Sequence, residues 1–129
     1  MKPGGPRILV IDDDPASKDV LADLIQSEGW SFYEASGTEE ALAAADDVEP
    51  EVIVLDPVCE SGKASDLLVT LRRNHEWIPV VLYTADKRFD QAWALEHGAS
   101  GVESKPRGLT RLREKISELL DDQRTDRPL

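Results

Sequence analysis

Residues 51–56 read EVIVLD, Glu51 through Asp56, and Pro57 follows. Val52, Ile53, Val54 and Leu55 run without polar alternation, the pattern of a strand buried on both faces. Such strands belong to parallel sheets covered by helices. Asp56 then falls at the strand's carboxyl end, the edge of an open α/β sheet where ligands bind. A second apolar run, Ile8 through Ile11, also ends in acid, at Asp12, Asp13 and Asp14. If the two strands are neighbours, three or four carboxylates converge on one edge, and like charges that close need a neutralising cation. An all-oxygen site of this kind suits Mg²⁺ or Mn²⁺.

Outward from these two runs, strands and helices alternate five times. Arg7 to Ile11 predicts the first strand. Asp14 and Pro15 then supply an acidic N-cap and a proline at the first helical position. Val20, Leu21, Leu24 and Ile25 recur at helical spacing, and Gly29 offers a stop. Trp30 to Ala35 predicts a short second strand. Gly37, Thr38, Glu39 and Glu40 open a second helix, which Asp46 to Pro50 ends. After the third strand, a loop through Gly62 leads to a helix over about 64–74, with Leu67, Leu68 and Leu71 inward. Ile78 to Tyr83 predicts the fourth strand, with Pro79 near its start, where a missing N–H is tolerated. A fourth helix is expected over about 87–97, stopped by Gly98, and a short fifth strand over 101–104. The last helix is expected over about 109–120, with Leu112, Ile116, Leu119 and Leu120 on one face. Right-handed crossovers make this a doubly wound, five-stranded parallel sheet of flavodoxin-like order 2-1-3-4-5, with helices on both faces. The expected organisation is a flexible lead-in at 1–6, one domain at 7–120 and a solvated tail at 121–129.

The bulk properties exclude several classes. The chain has 129 residues, enough for one domain with a buried sheet. Its 26 acids against 15 basic residues give a net charge of −11, which argues against direct binding to nucleic acid or to an anionic membrane surface. The opening MKPGGPR lacks the apolar region of a signal peptide, and no apolar run approaches the roughly 18 residues of a membrane span, so the expectation is a cytoplasmic protein. Cys59 is the single cysteine, which precludes an internal disulfide; it reads as a loop residue rather than a reactive thiol. His75 and His97 lack metal-ligand spacing. Phe89 and Trp93, one helical turn apart, read as core or partner surface.

Four of the five predicted strands end in a functional group: Asp12 and Asp13, Asp56, Thr84 and Lys105. In a parallel sheet these meet at one edge. Acids to hold a divalent cation, a hydroxyl and an ammonium together suit a phosphoryl group carried on one of the acids. The cation and the lysine offset charge on the phosphoryl oxygens, and a carboxylate serves as nucleophile.

With ILVIDDDP at 8–15, VIVLD at 52–56, IPVVLYTA at 78–85 and GASGVESKP at 98–106, the chain resembles the receiver domain of two-component response regulators, the CheY-like family. The resemblance covers roughly residues 7–120. It implies that Asp56 accepts the phosphoryl group and that Asp12 and Asp13 position Mg²⁺, with Asp13 and the Val58 backbone carbonyl as direct ligands alongside Asp56. It implies further that Thr84 is the switch hydroxyl and that Lys105 is the counter-ion, joined to Pro106 by a cis peptide bond. The donor would be a histidine kinase or a histidine phosphotransfer protein, and hydrolysis by the domain itself would be slow.

The chain departs from the family pattern in three places. Val102 stands where an aromatic is usual, Pro57 directly follows the acceptor, and Glu60 and Ala64 replace the usual Pro and Gly of the following loop. Val58 and Asp86 occupy positions that tune phosphoryl lifetime in the family. The leading expectation is a stand-alone receiver, not a turnover enzyme, that signals to an unknown downstream protein. Docking would run through the fourth helix, fifth strand and fifth helix, near Trp93 and Val102. The alternative is a pseudo-receiver, the same fold used as a phosphorylation-independent interaction module. A haloacid-dehalogenase-type phosphatase fits less well, because Asp12-Asp13-Asp14-Pro15 does not continue that motif.

Overall fold

The computed structural model describes residues 5–58, 64–105 and 108–126. Its elements are β1 (Arg7–Ile11), α1 (Pro15–Ser27), β2 (Ser31–Ala35), α2 (Thr38–Val48), β3 (Val52–Leu55), α3 (Ala64–Asn74), β4 (Val80–Thr84), α4 (Gln91–Glu96), β5 (Gly101–Ser104) and α5 (Leu109–Asp126). The five strands form one parallel sheet in the order β2-β1-β3-β4-β5. The expected topology is therefore the observed one.

Strand alternation divides the core in two. Leu9, Ile11, Ile53, Leu55, Val80 and Leu82 point to one face, where Ala41 and Ala45 of α2, Leu67, Leu68 and Leu71 of α3 and Ala94 of α4 cover them. Ile8, Val10, Val52, Val54, Val81 and Tyr83 point to the other, against Leu21 and Ile25 of α1 and Leu112, Ile116, Leu119 and Leu120 of α5. Every residue of β3 is buried, as its unbroken apolar run requires.

Local chemistry sets the element ends. Asp14 caps α1 by accepting from the Ala16 N–H at 3.1 Å. At the other end Gly29 takes φ +81°, and its N–H and that of Trp30 bond back to the carbonyls of Gln26 and Ile25 at 3.0 and 3.1 Å. Trp30 is thereby spent on the helix stop, and β2 begins at Ser31 rather than Trp30. The Ile78 amide is likewise spent on a turn, donating to the His75 carbonyl at 3.0 Å, so β4 begins at Val80 rather than Ile78.

Two helices differ from expectation. α4 starts at Gln91, not near Lys87, because residues 86–89 form a turn: the Phe89 N–H bonds to the Asp86 carbonyl at 3.2 Å, and Asp90 caps the helix through the Trp93 N–H at 2.9 Å. α5 runs on to Asp126, beyond the Leu120 at which its apolar face ends, and Asp121 and Asp122, expected in a solvated tail, are exposed helical residues. Cys59, Glu60, Gly62 and Pro106, and with Pro106 the expected cis peptide bond, lie outside the described residues.

Candidate functional site

The sheet ladder fixes which groups share an edge. Ile11 pairs with Leu55, and the Asp56 N–H continues that ladder one step further, to the Ile11 carbonyl at 2.9 Å. The Asp12 N–H extends β1 against β2 in the same way, to the Ala35 carbonyl at 3.0 Å. The Lys105 N–H extends β5 against β4, to the Thr84 carbonyl at 3.0 Å. Asp12, Asp56, Thr84 and Lys105 therefore stand at the carboxyl ends of their strands, held by backbone bonds of the sheet itself.

Lys105 draws two of the acids together. Its Nζ donates to Asp12 Oδ2 at 2.6 Å and to Asp56 Oδ2 at 2.9 Å. Asp12 is 1% exposed, so its charge depends on this partner and on the Asp14 N–H, which donates to Asp12 Oδ1 at 2.9 Å. Asp56 Oδ1 accepts from the Val58 N–H at 3.0 Å, a turn closed by the side chain over the start of the following loop. Burial alone would lower the Lys105 pKa, but hydrogen bonds and charge from Asp12 and Asp56 outweigh it and hold the ammonium above its ordinary value. The ammonium also lies 5.6 Å from the centre of the Tyr83 ring. Burial is the main cause that raises the Tyr83 pKa, opposed by Lys105 and aided by Asp12, so that phenol stays neutral.

Thr84, 4% exposed, ends β4 on the same edge. Its hydroxyl oxygen accepts from the Asp86 N–H at 3.0 Å, which ties it to the turn that precedes α4. Asp86 is itself held by Arg88: Arg88 Nε donates to both carboxylate oxygens at 3.0 Å, and the Arg88 N–H donates to Oδ1 at 3.0 Å. These bonds lower the Asp86 pKa to about 2. Sequence reasoning singled out Asp86 but not Arg88, although the Asp-x-Arg spacing around one turn was the available signal.

Asp13 follows Asp12 and is exposed, and Val58 is exposed at the rim. Among the described residues no three His, Cys, Asp or Glu side chains are already grouped as metal ligands. The donor set nonetheless fits a hard cation. Asp12, Asp13 and Asp56 carry three negative charges against the single positive charge of Lys105, an excess that one divalent ion neutralises. Mg²⁺ keeps several waters and needs only one or two carboxylates from a protein, so a preformed cage of three is not required.

Residues 8–117 match the response regulator receiver domain model, and the chain belongs to that family. Among curated proteins it is 32% identical over 115 residues to the transcriptional regulatory protein TrcR of Mycobacterium tuberculosis, covering 88% of this chain and 45% of that protein. It is 33% identical over 101 residues to the alkaline phosphatase synthesis transcriptional regulatory protein PhoP of Bacillus subtilis, covering 78% and 42%. The chain thus spans less than half the length of these relatives. Among solved structures, the receiver domain of NtrX from Brucella abortus superposes with a TM-score of 0.81 at 27% identity, covering 88% of this chain and 98% of that one. A CheY-like receiver domain protein from Methanospirillum hungatei superposes with a TM-score of 0.84 at 25% identity, covering 95% and 98%. Receiver domains as a family accept phosphoryl groups from histidine kinases and bind Mg²⁺ at the phosphorylation site. No helix among the described residues is long and apolar enough to cross a membrane.

Proposed function

We propose that this chain accepts a phosphoryl group on Asp56 from a histidine kinase or a histidine phosphotransfer protein, and passes the signal on by docking to a downstream protein. The observation that carries the reading is the placement of Lys105 Nζ, 2.6 Å from one buried carboxylate and 2.9 Å from the Asp56 carboxylate at the end of the central strand.

In the transfer, an Asp56 oxygen attacks phosphorus as the bond from phosphorus to the donor's imidazole nitrogen breaks, and the imidazole keeps that electron pair. Lys105 stays ionised beside the new phosphoryl oxygens. Thr84 Oγ1 exchanges its Asp86 N–H for a bond that its own hydroxyl donates to a phosphoryl oxygen. Asp12, Asp13, Asp56 and the Val58 carbonyl are the groups that would hold Mg²⁺, which supplies charge neutralisation at the transferred group. Val58 has no side-chain group to position an attacking water, so self-hydrolysis is slow and the chain acts as a switch rather than a turnover enzyme. Action in the cytoplasm, and no direct contact with nucleic acid or membrane, are consistent with the net charge of −11. The names of the curated relatives describe transcriptional regulators, and a regulatory role of that kind belongs to the same reading.

Intact mass after incubation with acetyl phosphate and Mg²⁺ tests it. The expected result is one added phosphoryl group, absent in EDTA and absent in Asp56→Asn. Val102, in place of the family's usual aromatic, favours a second reading: a phosphorylation-independent interaction module, which the lack of any adduct would support. Mg²⁺ binding has its own readout. It raises the midpoint of thermal unfolding, by an amount equivalent to about 2.7 kcal/mol at a hundredfold excess over Kd, and Asp13→Asn reduces that gain.

A further inference from the structure

The switch threonine opens onto a cleft of about 290 Å³ between the β4–α4 connection and β5, lined by Thr84, Asp86, Phe89, Gln91, Val102 and Ser104. Val102 is too short to fill it from the β5 side, and among the described residues Phe89 is the one aromatic on its walls. We propose that Phe89, reaching in from the α4 side, is the side chain that follows Thr84 in this protein, and that it passes the change to Trp93 and His97. The inference rests on the phosphoacceptor reading of Asp56.

The connection is short and runs through two hydrogen bonds. Thr84 Oγ1 accepts the Asp86 N–H at 3.0 Å, and the Asp86 carbonyl in turn accepts the Phe89 N–H at 3.2 Å. When the Thr84 hydroxyl turns toward a phosphoryl group on Asp56, the Asp86 N–H loses its acceptor and the turn that holds Phe89 loosens. Movement of the hydroxyl also enlarges the cleft. A benzene ring fits an apolar cavity of about 150 Å³, so the space beside Thr84 is ample for the Phe89 ring. Burying that ring in the vacated space favours the rearranged state.

Phe89 is not free to move alone. Its ring meets Trp93 edge to face at a centroid distance of 4.8 Å, and Trp93 stacks on His97 at 3.9 Å with the planes 16° apart. Trp93 lies in α4, a helix of six residues capped by the Asp90 side chain, with Phe89 in the turn before it and His97 at its C-cap. A short helix of this kind shifts more readily than the longer helices packed on the sheet. Displacing Phe89 therefore changes the surroundings of the Trp93 indole and of an exposed face that includes Leu95, 58% exposed.

The test uses the full chain carrying Trp30→Phe and Trp77→Phe, which leaves Trp93 as its single indole. Emission is followed on addition of acetyl phosphate and Mg²⁺, with intact mass giving the phosphorylated fraction in the same samples. The expected result is an emission change that grows with that fraction. It is lost in Phe89→Ala, and lost in Val102→Phe, where the cleft is filled from the opposite wall, although both variants still take up the phosphoryl group. Phe89 is only partly buried, and far-UV circular dichroism of both variants is expected to match the parent. An adduct with Trp93 silent, or an undiminished signal in Phe89→Ala and Val102→Phe, overturns the relay and leaves the acceptor reading standing. Absence of the adduct overturns both.

Discussion

Replacing Lys105 with Met would leave the Asp12 carboxylate, 1% exposed, without its ion-pair partner and with little water to solvate it. The expected cost is about 1–3 kcal/mol in urea unfolding, and added Mg²⁺ should recover part of it, because the divalent ion answers the same excess of negative charge. The Lys105 pKa is raised above its ordinary 10.5, so the stabilisation from its charge is fully present below that value and is lost only as pH climbs through the higher one. Titration between about pH 6 and about pH 9 should therefore leave this ion pair intact. Asp86 behaves in the opposite sense. Hydrogen bonds from Arg88 lower its pKa to about 2, so whatever the pair contributes is present above the ordinary carboxylate value and fades as pH falls through 2. Arg88→Ala should return the Asp86 titration, followed by carboxyl NMR, toward the unperturbed 3.8. At this scale the sequence was informative about identity and silent about pairing. Asp12, Asp56, Thr84 and Lys105 were legible as strand-end groups. That one lysine spans two acids while Asp13 stands exposed depends on side-chain rotamers that no spacing rule encodes.

Apolar runs and caps determine the elements, and they fail as signals where a turn consumes an amide. Val52 to Leu55 and Ile8 to Ile11 were readable because burial on both faces leaves no polar residue in the run. Ile78 looked like strand and is not, because its N–H closes a turn to His75. Lys87 to Asp90 looked helical because Phe89 and Trp93 have helical spacing, but Phe89 sits in the turn and Asp90 is the cap. The Asp90-Gln91 boundary was a signal available in the sequence, since Asp is among the preferred N-caps. Asp90→Ala should cost about 1 kcal/mol and, in a helix this short, should weaken the near-UV dichroism of the Trp93–His97 stack. α5 outran its apolar face for a different reason. Hydrophobic periodicity marks the part of a helix that packs, and just beyond Leu120 the helix presents the exposed acids Asp121 and Asp122 to solvent.

The molecule is two cores built on one sheet, and neither face is optional. Leu68 of α3 and Ile116 of α5 are both 0% exposed, on opposite sides of the sheet. Leu68→Ala and Ile116→Ala should each cost about 2–5 kcal/mol and leave unfolding a single transition, because every core strand contributes to both faces. The parallel order places the carboxyl ends of β1, β3, β4 and β5 along one edge, where Asp12, Asp56, Thr84 and Lys105 stand. The central claim is that Asp56, at the end of the most buried strand, is the residue that takes the phosphoryl group. Borohydride reduction of the chain after treatment with acetyl phosphate and Mg²⁺, followed by peptide mass mapping, tests it most directly, since reduction marks an acyl phosphate at the residue that carries it. The account predicts a homoserine at position 56 and at no other acid. A mark at Asp12 or Asp13, or no mark anywhere, would contradict it.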